Sequence, residues 1–484
     1  MIIVFVLYFA LTLCLGLWEA RKTKSQSDFV LGGKKLPGWM LALSERATGE
    51  SAWLLLGLTG FIYATGLSGI WTGVGCLLGI STAWIVLARK FRAEAEAYKA
   101  MTMPEYFAAK FASKANLIRV LSTGIIVFFF VFYVGAQFAG AGKTIQQTFG
   151  FSPFWGMIIS AVVILGYATF GGFVSVVAVD TFQSILMLTT LVVTPVILLV
   201  KILASPVSPA QAFAAAGPGF GSLTGGLAGF AAGLMIFNNL AWFFGYLGGQ
   251  PQLNARFMGM KDEKNVRLGR NIAVLWTIIA YSGVVIIGLG AHVLFGPKAV
   301  ADSEMILPFI LNNLFPGWLA ALLLAGAVAA MISTAESMLL VAATSISEDV
   351  YKGILKKGRA RERTLLLISR LSTVAVGVLG LVLALTTKDL IYSIVSYAWA
   401  GIGCSFAPAV LLSFYWDRFN AAGVVTALAS GLVSTVVWML AGLEKTVTAR
   451  ASTFIIAMTL AVLVTLVSKK KEPETAKASP LTSG

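Results

Sequence analysis

The chain is poor in charge and nearly devoid of the residues that build soluble catalytic centres. Its 484 residues include one histidine, three cysteines and 21 Asp+Glu, and charged residues make up 12% of the total. A soluble globular protein carries roughly twice that share, about 25%. The cysteines (Cys14, Cys76, Cys404) lie in apolar stretches and show no metal-ligand spacing. They read as small buried hydrophobes. The lone His292, near a helix end, reads as structural rather than as a proton relay. No nucleophile–base pair is visible, so an enzyme is not expected. The net charge of +15 comes without a basic face interleaved with aromatics, which sets nucleic acid aside. Residues 2–18 lack a basic leader and a small-residue cleavage site, so they read as a retained helix rather than a signal peptide.

What is present is apolar sequence: 58% hydrophobic residues and a mean hydropathy of +0.86. A membrane crossing takes about 20 apolar residues at 1.5 Å rise each. That template predicts an all-α polytopic membrane protein in a lipid bilayer with about thirteen transmembrane helices. They fall near 2–18, 39–64, 68–88, 117–148, 152–172, 178–203, 223–247, 268–295, 304–346, 364–386, 389–414, 420–442 and 450–468. The stretch 304–346 is too long for one straight crossing and must tilt, bend or extend past the bilayer. Basic residues gather in alternate loops: Arg21 to Lys35, Arg89 to Arg119, Arg256 to Arg270, Lys352 to Arg363, Arg418 and Lys469 to Lys471. The other loops carry only Lys201, Lys298, Lys388, Lys445 and Arg450. Cytoplasmic loops collect Lys and Arg, so the N-terminus is expected outside and the C-terminus inside, in the cell membrane. With no linker dividing it, residues 1–470 read as one transporter-type membrane domain and 471–484 as a short cytoplasmic tail.

Four places break the apolar pattern. The run Ser44-Glu45-Arg46-Ala47-Thr48-Gly49-Glu50 puts three charges where each costs about 2.5–3.5 kcal/mol in lipid. Such a helix is expected to face water or protein, with a flexible point at Thr48-Gly49. Its free carbonyls, those of Ala47 and Glu50, suit a small hard cation. Glu45 and Arg46 read as a structural pair, and the deeper Glu50 as functional. In the second place, helical periodicity puts Ala330, Ser333, Thr334 and Ser337 on one face, flanked by Glu336. Hydroxyls beside a free carbonyl form an oxygen-rich site for Na+. The third, Asp180, is either a helix cap or a second cation position or gate residue. In the fourth, Trp242 to Tyr246 run into Gly248-Gly249-Gln250-Pro251, which favours unwinding. Paired interruptions in two halves of a transporter point to its binding site.

These residues resemble the sodium:solute symporter family, and within it the sodium/proline branch. The resemblance rests on Asp28-Phe29-Val30-Leu31-Gly32-Gly33, Ser51-Ala52-Trp53-Leu54-Leu55, Gly171-Gly172-Phe173, and Gly245-Tyr246 followed by Gln250-Pro251. It continues through Ala255-Arg256-Phe257-Met258, Ser333-Thr334, Ser347 to Lys352, and Val395 to Gly401. It implies a LeuT-like inverted five-helix repeat with core halves near 39–203 and 223–414. It also implies Na+ as coupling ion, on the carbonyls of Ala47, Glu50 and Ala330 and the hydroxyls of Ser333 and Thr334. Asp180 with Ser333 and Ser337 is implied as a second sodium site, next to which Glu336 is read as a further ion or coupling residue. Trp242, Tyr246 and Tyr133 are implied as a pocket for a small-molecule substrate, to which Ser51 and Trp53 are added. The chain departs from the branch at Gly49, where an aspartate is usual, at Glu336, and by one extra glycine after Tyr246. The expected function is sodium-coupled import of a small organic solute, proline or a related amino acid first. The alternatives are proton coupling, or another solute such as a monocarboxylate or pantothenate. A channel or receptor is disfavoured by the two interrupted helices.

Overall fold

The computed structural model describes residues 1–386 and 390–468, and all regular structure within them is helical. Among these residues ten helical runs are long and apolar enough to cross a membrane, eleven with the bent pair Gly229–Tyr246 and Pro251–Met258. Two of the runs, Gly38–Ala97 with 60 residues and Pro153–Leu203 with 51, are far longer than the ~30 Å crossing requires. Each is interrupted at a glycine outside helical geometry and is long enough for two crossings. Gly66 (φ 72°) and Gly172 (φ 60°) take left-handed backbone that a side chain disfavours. A Cβ on Gly66 would also lie 2.1 Å from the Phe220 carbonyl, and one on Gly172 2.6 Å from the Phe29 ring.

The helices that carry the polar interruptions sit in the middle. Gly38–Ala52 packs against Pro153–Leu203, Gly317–Thr344 and Glu263–Phe295. The apolar windows of Gly317–Leu355 and Ile391–Tyr415 are 83% buried by protein, against 28% for Ile2–Ala20. Buried-all-round helices form the wall of the site, while half-buried ones present their other face to lipid. On the basic-loop side, a short helix Gln26–Leu31 begins with a reciprocal cap: Asp28 N–H donates to Ser25 Oγ, and Ser25 N–H to the Asp28 carboxylate.

Two expectations need correction. The stretch 304–346 is two helices, Ile306–Leu314 and Gly317–Thr344, because Phe315 is extended (φ −117°, ψ 150°) ahead of Pro316, whose ring disfavours α geometry there. The second continues as a π-helical segment, Ser345–Leu355. Cys14 is exposed on the first helix, not buried, while Cys76 and Cys404 are buried; all three are free thiols. The crossing placed at 389–414 is Ile391–Tyr415, and both residue 389 and the expected tail 471–484 lie outside the described residues.

Candidate functional site

The first core helix breaks at Ser51, two residues beyond Gly49. Ser51 adopts φ 34°, ψ −169°, inside the run Gly38–Ala52 and just before a π-helical turn, Trp53–Leu58. A non-glycine residue in such backbone costs about 1–3 kcal/mol and persists only where its surroundings hold it. Here the Ser51 hydroxyl lies 3.2 Å from the Tyr133 hydroxyl and accepts from Trp53 N–H at 3.2 Å. The Ala52 N–H donates to Gln137 Oε1 at 2.9 Å. In an unbroken helix that N–H would serve the Thr48 carbonyl four residues back. The break therefore leaves the Thr48 carbonyl for another donor.

That donor comes from Gly317–Thr344. Thr334 Oγ1 lies 2.9 Å from the Thr48 carbonyl and 3.0 Å from that of Ala330. Ser333 Oγ lies 3.0 Å from the Ala47 carbonyl and 3.1 Å from that of Ala330. Each hydroxyl has one proton for two acceptors, so the buried cluster has more lone pairs than protons. Three carbonyls and two hydroxyls, all neutral oxygens in excess acceptor balance, suit a small hard cation. Four of the five residues expected there are brought together: Ala47, Ala330, Ser333 and Thr334. The Glu50 carbonyl instead receives the Trp53 N–H and makes no contact with these hydroxyls among the described residues, and Thr48 stands in its place.

Charged groups surround this cluster. Arg46 chelates the Glu45 carboxylate through Nε and Nη2, and donates from Nη1 to Glu50 Oε1 at 2.6 Å. Glu50 Oε2 accepts from the Tyr281 hydroxyl at 2.7 Å, and Trp84 Nε1 donates to Glu45. Asp180 is not a helix cap. It lies well inside Pro153–Leu203, fully buried, and its Oδ2 accepts from Ser44 Oγ at 2.6 Å and Arg256 Nη2 at 3.0 Å. Arg256 Nη2 also reaches Ser337 Oγ at 2.6 Å, and Thr48 Oγ1 lies 2.9 Å from that same oxygen. Glu336, beside Asp180 and fully buried, has neither oxygen in a hydrogen bond of good geometry, and the same holds for Asp180 Oδ1.

The aromatic candidates converge one turn away. Trp53 stacks on Trp242 at 4.4 Å between centroids and 11° between planes, and donates its indole N–H to the Gly49 carbonyl at 3.2 Å. Trp242 belongs to a short helix, Trp242–Tyr246, after which the chain unwinds through 247–250 and restarts at Pro251. Its indole N–H donates to the Tyr392 hydroxyl at 3.3 Å. Tyr246 lies against Trp399 at 4.7 Å. Sequence reasoning missed Tyr281 and Tyr392 as parts of the site, and it quoted Ser44, Thr48 and Arg256 within longer stretches without giving them a ligand or partner role. Trp399 stood inside the quoted stretch Val395 to Gly401 but was given no role. His292 is buried at a helix end, with Nδ1 3.2 Å from the Tyr63 carbonyl, as a structural residue would be.

The sodium:solute symporter family model matches residues 29–433. The osmoregulated proline transporter OpuE of Bacillus subtilis is 33% identical over 471 residues, covering 96% of this chain and 94% of that protein. Sodium/proline symporter 2 of Staphylococcus saprophyticus is 32% identical over 443 residues, covering 90% and 85%. Among solved structures, a Na+-coupled sialic acid symporter in a substrate-bound outward-open state superposes with a TM-score of 0.78 at 18% identity, over 97% of this chain and 98% of that one. A nucleobase-cation-symport-1 family transporter in a closed conformation gives a TM-score of 0.55 at 14% identity, over 88% and 91%. At those identities the structural likenesses speak for the fold, which is LeuT-like. With a family model spanning most of its length and relatives at a third identity end to end, the chain belongs to the sodium:solute symporter family.

Proposed function

We propose that the protein is a sodium-coupled secondary active symporter that imports proline or a closely related amino acid by alternating access. The observation that carries this reading is the meeting of Ser333 and Thr334 with the Ala47 and Thr48 carbonyls at the break beside Ser51. Sodium is cargo held by those groups and the Ala330 carbonyl. When it enters, the hydroxyl protons turn away and their lone pairs ligate, which clamps the first core helix to Gly317–Thr344. Trp53 rests on the Gly49 carbonyl of the same broken turn, so the clamp sets the position of one pocket wall. The solute enters between Trp53 and Trp242, with Ser51, Tyr133 and Tyr246 around it. Asp180, Ser337 and Glu336 form a second ion or coupling position. The core halves near 39–203 and 223–414, an outside N-terminus, a cytoplasmic C-terminus and the absence of covalent chemistry belong to the same reading. Proline as solute is supported by the names of the relatives at 32–33% identity.

The Glu336 carboxylate, buried beside Asp180 and Tyr167 with neither oxygen in a hydrogen bond of good geometry, favours proton coupling as the second reading. One experiment separates the two: uptake by proteoliposomes of labelled proline, other amino acids, monocarboxylates and pantothenate, under Na+ and H+ gradients applied separately. Proline accumulating on the Na+ gradient alone is the expected result. Accumulation on the H+ gradient without Na+, or of another solute and not proline, overturns the corresponding half of the proposal.

A further inference from the structure

Three arginines are buried among the described residues: Arg46, Arg256 and Arg450. Arg46 is paired with Glu45 and Glu50, and Arg256 with Asp180. Arg450, in the first turn of the last helix Ala449–Val467, is only 5% exposed and makes no ion pair among the described residues. Its Nη1 donates to Ser396 Oγ, and its buried Nε has no partner. Its guanidinium carbon lies 4.6 Å from the Trp242 ring centroid. Trp53 covers one face of that ring, so the guanidinium takes the other.

Burying an arginine without a counter-charge costs several kcal/mol, of which stacking on an indole recovers about 0.5–2. The molecule thus keeps a buried cation without an ion pair among the described residues, two stacked rings from the cation cluster and on the wall of the proposed solute pocket. A guanidinium N–H can only donate. The neighbouring Trp399 Nε1 is a second buried donor without a partner. Both unmet groups ask for an acceptor, and the edge of the guanidinium left free by Ser396 is a fork that matches a carboxylate. Gly245 stands against Trp399 Nε1, where a Cβ would lie 2.1 Å away, so an acceptor reaches that nitrogen only as the Trp242–Tyr246 segment moves.

We propose that Arg450 is a specificity residue that receives the carboxylate of the transported solute. The inference rests on the amino-acid symporter reading and narrows it to carboxylate-bearing solutes. The test uses full-length wild type, Arg450→Gln and Arg450→Lys in proteoliposomes. Na+-driven uptake of labelled proline is measured with unlabelled proline or prolinamide as competitor, the amide keeping the ring and amine but losing the negative charge. Wild type is expected to prefer proline. In Arg450→Gln the KM for proline rises about 30-fold or more, the maximal rate changes little, and the proline-to-prolinamide preference collapses toward one. Arg450→Lys falls between, because a point cation replaces the fork.

A Gln variant that keeps the wild-type preference overturns the assignment, as does a wild type inhibited equally by both compounds. If the Gln variant is not monodisperse in detergent, the Lys variant decides: unchanged KM and preference sink the assignment. If wild type carries another carboxylate and not proline, the proline reading fails, and the same ratio with that solute and its amide decides on Arg450. If it carries only solutes without a carboxylate, Arg450 loses its role while sodium coupling stands.

Discussion

Removing one hydroxyl from the Ser333–Thr334 pair should weaken sodium binding far more than solute binding, and the size follows from what each oxygen touches. Thr334→Val keeps shape and removes Oγ1. Without an ion that oxygen is a donor to the Thr48 or Ala330 carbonyl, at 2.9 and 3.0 Å; losing a neutral bond costs the ion-free state about 1 kcal/mol. At the proposed site it would be one of five oxygens ligating sodium, and losing a contact to a charge costs about 1.5–3 kcal/mol. The difference, about 0.5–2 kcal/mol, falls on ion binding and corresponds to about a 2- to 30-fold rise in the sodium needed for half-maximal uptake. Ser333→Ala behaves in the same way, since Ser333 stands in the same relation to Ala47 and Ala330. Because both hydroxyls share the Ala330 carbonyl, the double variant is expected to deviate from additivity. Thr334→Ser retains the oxygen and should stay near wild type. The assay is initial uptake against sodium concentration at saturating solute, then against solute at saturating sodium. Identical sodium curves for wild type and Thr334→Val, or a solute KM shift as large as the sodium shift, would refute the site.

Two further outcomes follow from the buried charges. Glu50→Gln is expected to abolish sodium-driven uptake, and Gly49→Asp in that background to restore part of it by returning a carboxylate to Arg46; unaltered uptake in Glu50→Gln means its charge is irrelevant to transport. Asp180→Ala strands the Arg256 guanidinium, which now bonds Asp180 at 3.0 Å, and should destabilise the protein by about 3–5 kcal/mol. Thermal unfolding in detergent reads this, with Asp180→Ala/Arg256→Met recovering much of the loss, and an unchanged midpoint in the single variant contradicts the pairing.

The crossings were legible because a bilayer demands about twenty apolar residues whatever the tertiary structure. Ser333 and Thr334 were legible because helical spacing alone puts them beside Ala330. The break in the first helix was legible as a region but not as a residue: Thr48-Gly49 is the weak point by composition, whereas Ser51 reverses φ because Tyr133 and Gln137 of another helix supply its compensating bonds. Asp180 was ambiguous for the same reason, since its partners Ser44 and Arg256 lie 136 and 76 residues away in sequence. Pro316 carried a usable signal for the split of 304–346, which the apolar run masked. Cys14 carried none, because a lipid-facing helix surface and a protein core are equally apolar in sequence. Nor did Arg450, which as a lone basic residue at a helix start reads as loop charge until Trp242 is seen beneath it.

The carboxylate of Glu50, one residue past Gly49, can now be given a geometric meaning. A Cβ on Gly49 would lie 3.5 Å from Arg46 Nη2, with Leu253 at 3.6 Å as its other neighbour, so an aspartate there would point at the same guanidinium. One residue further round the helix, about 100° away, the longer Glu50 reaches Arg46 Nη1 and also Tyr281. The guanidinium would meet a carboxylate in either register, but the two carboxylates would leave the helix in different directions. In this chain the carboxylate is tied to Tyr281 on Glu263–Phe295, and the cation cluster is left with neutral oxygens only. At the proposed sodium site the charge would therefore act on the ion through space and through the helix that carries Thr48, not as a ligand. Loss of the Glu50 charge should for that reason disturb ion site and pocket wall together, since Trp53 hangs from the Gly49 carbonyl between them.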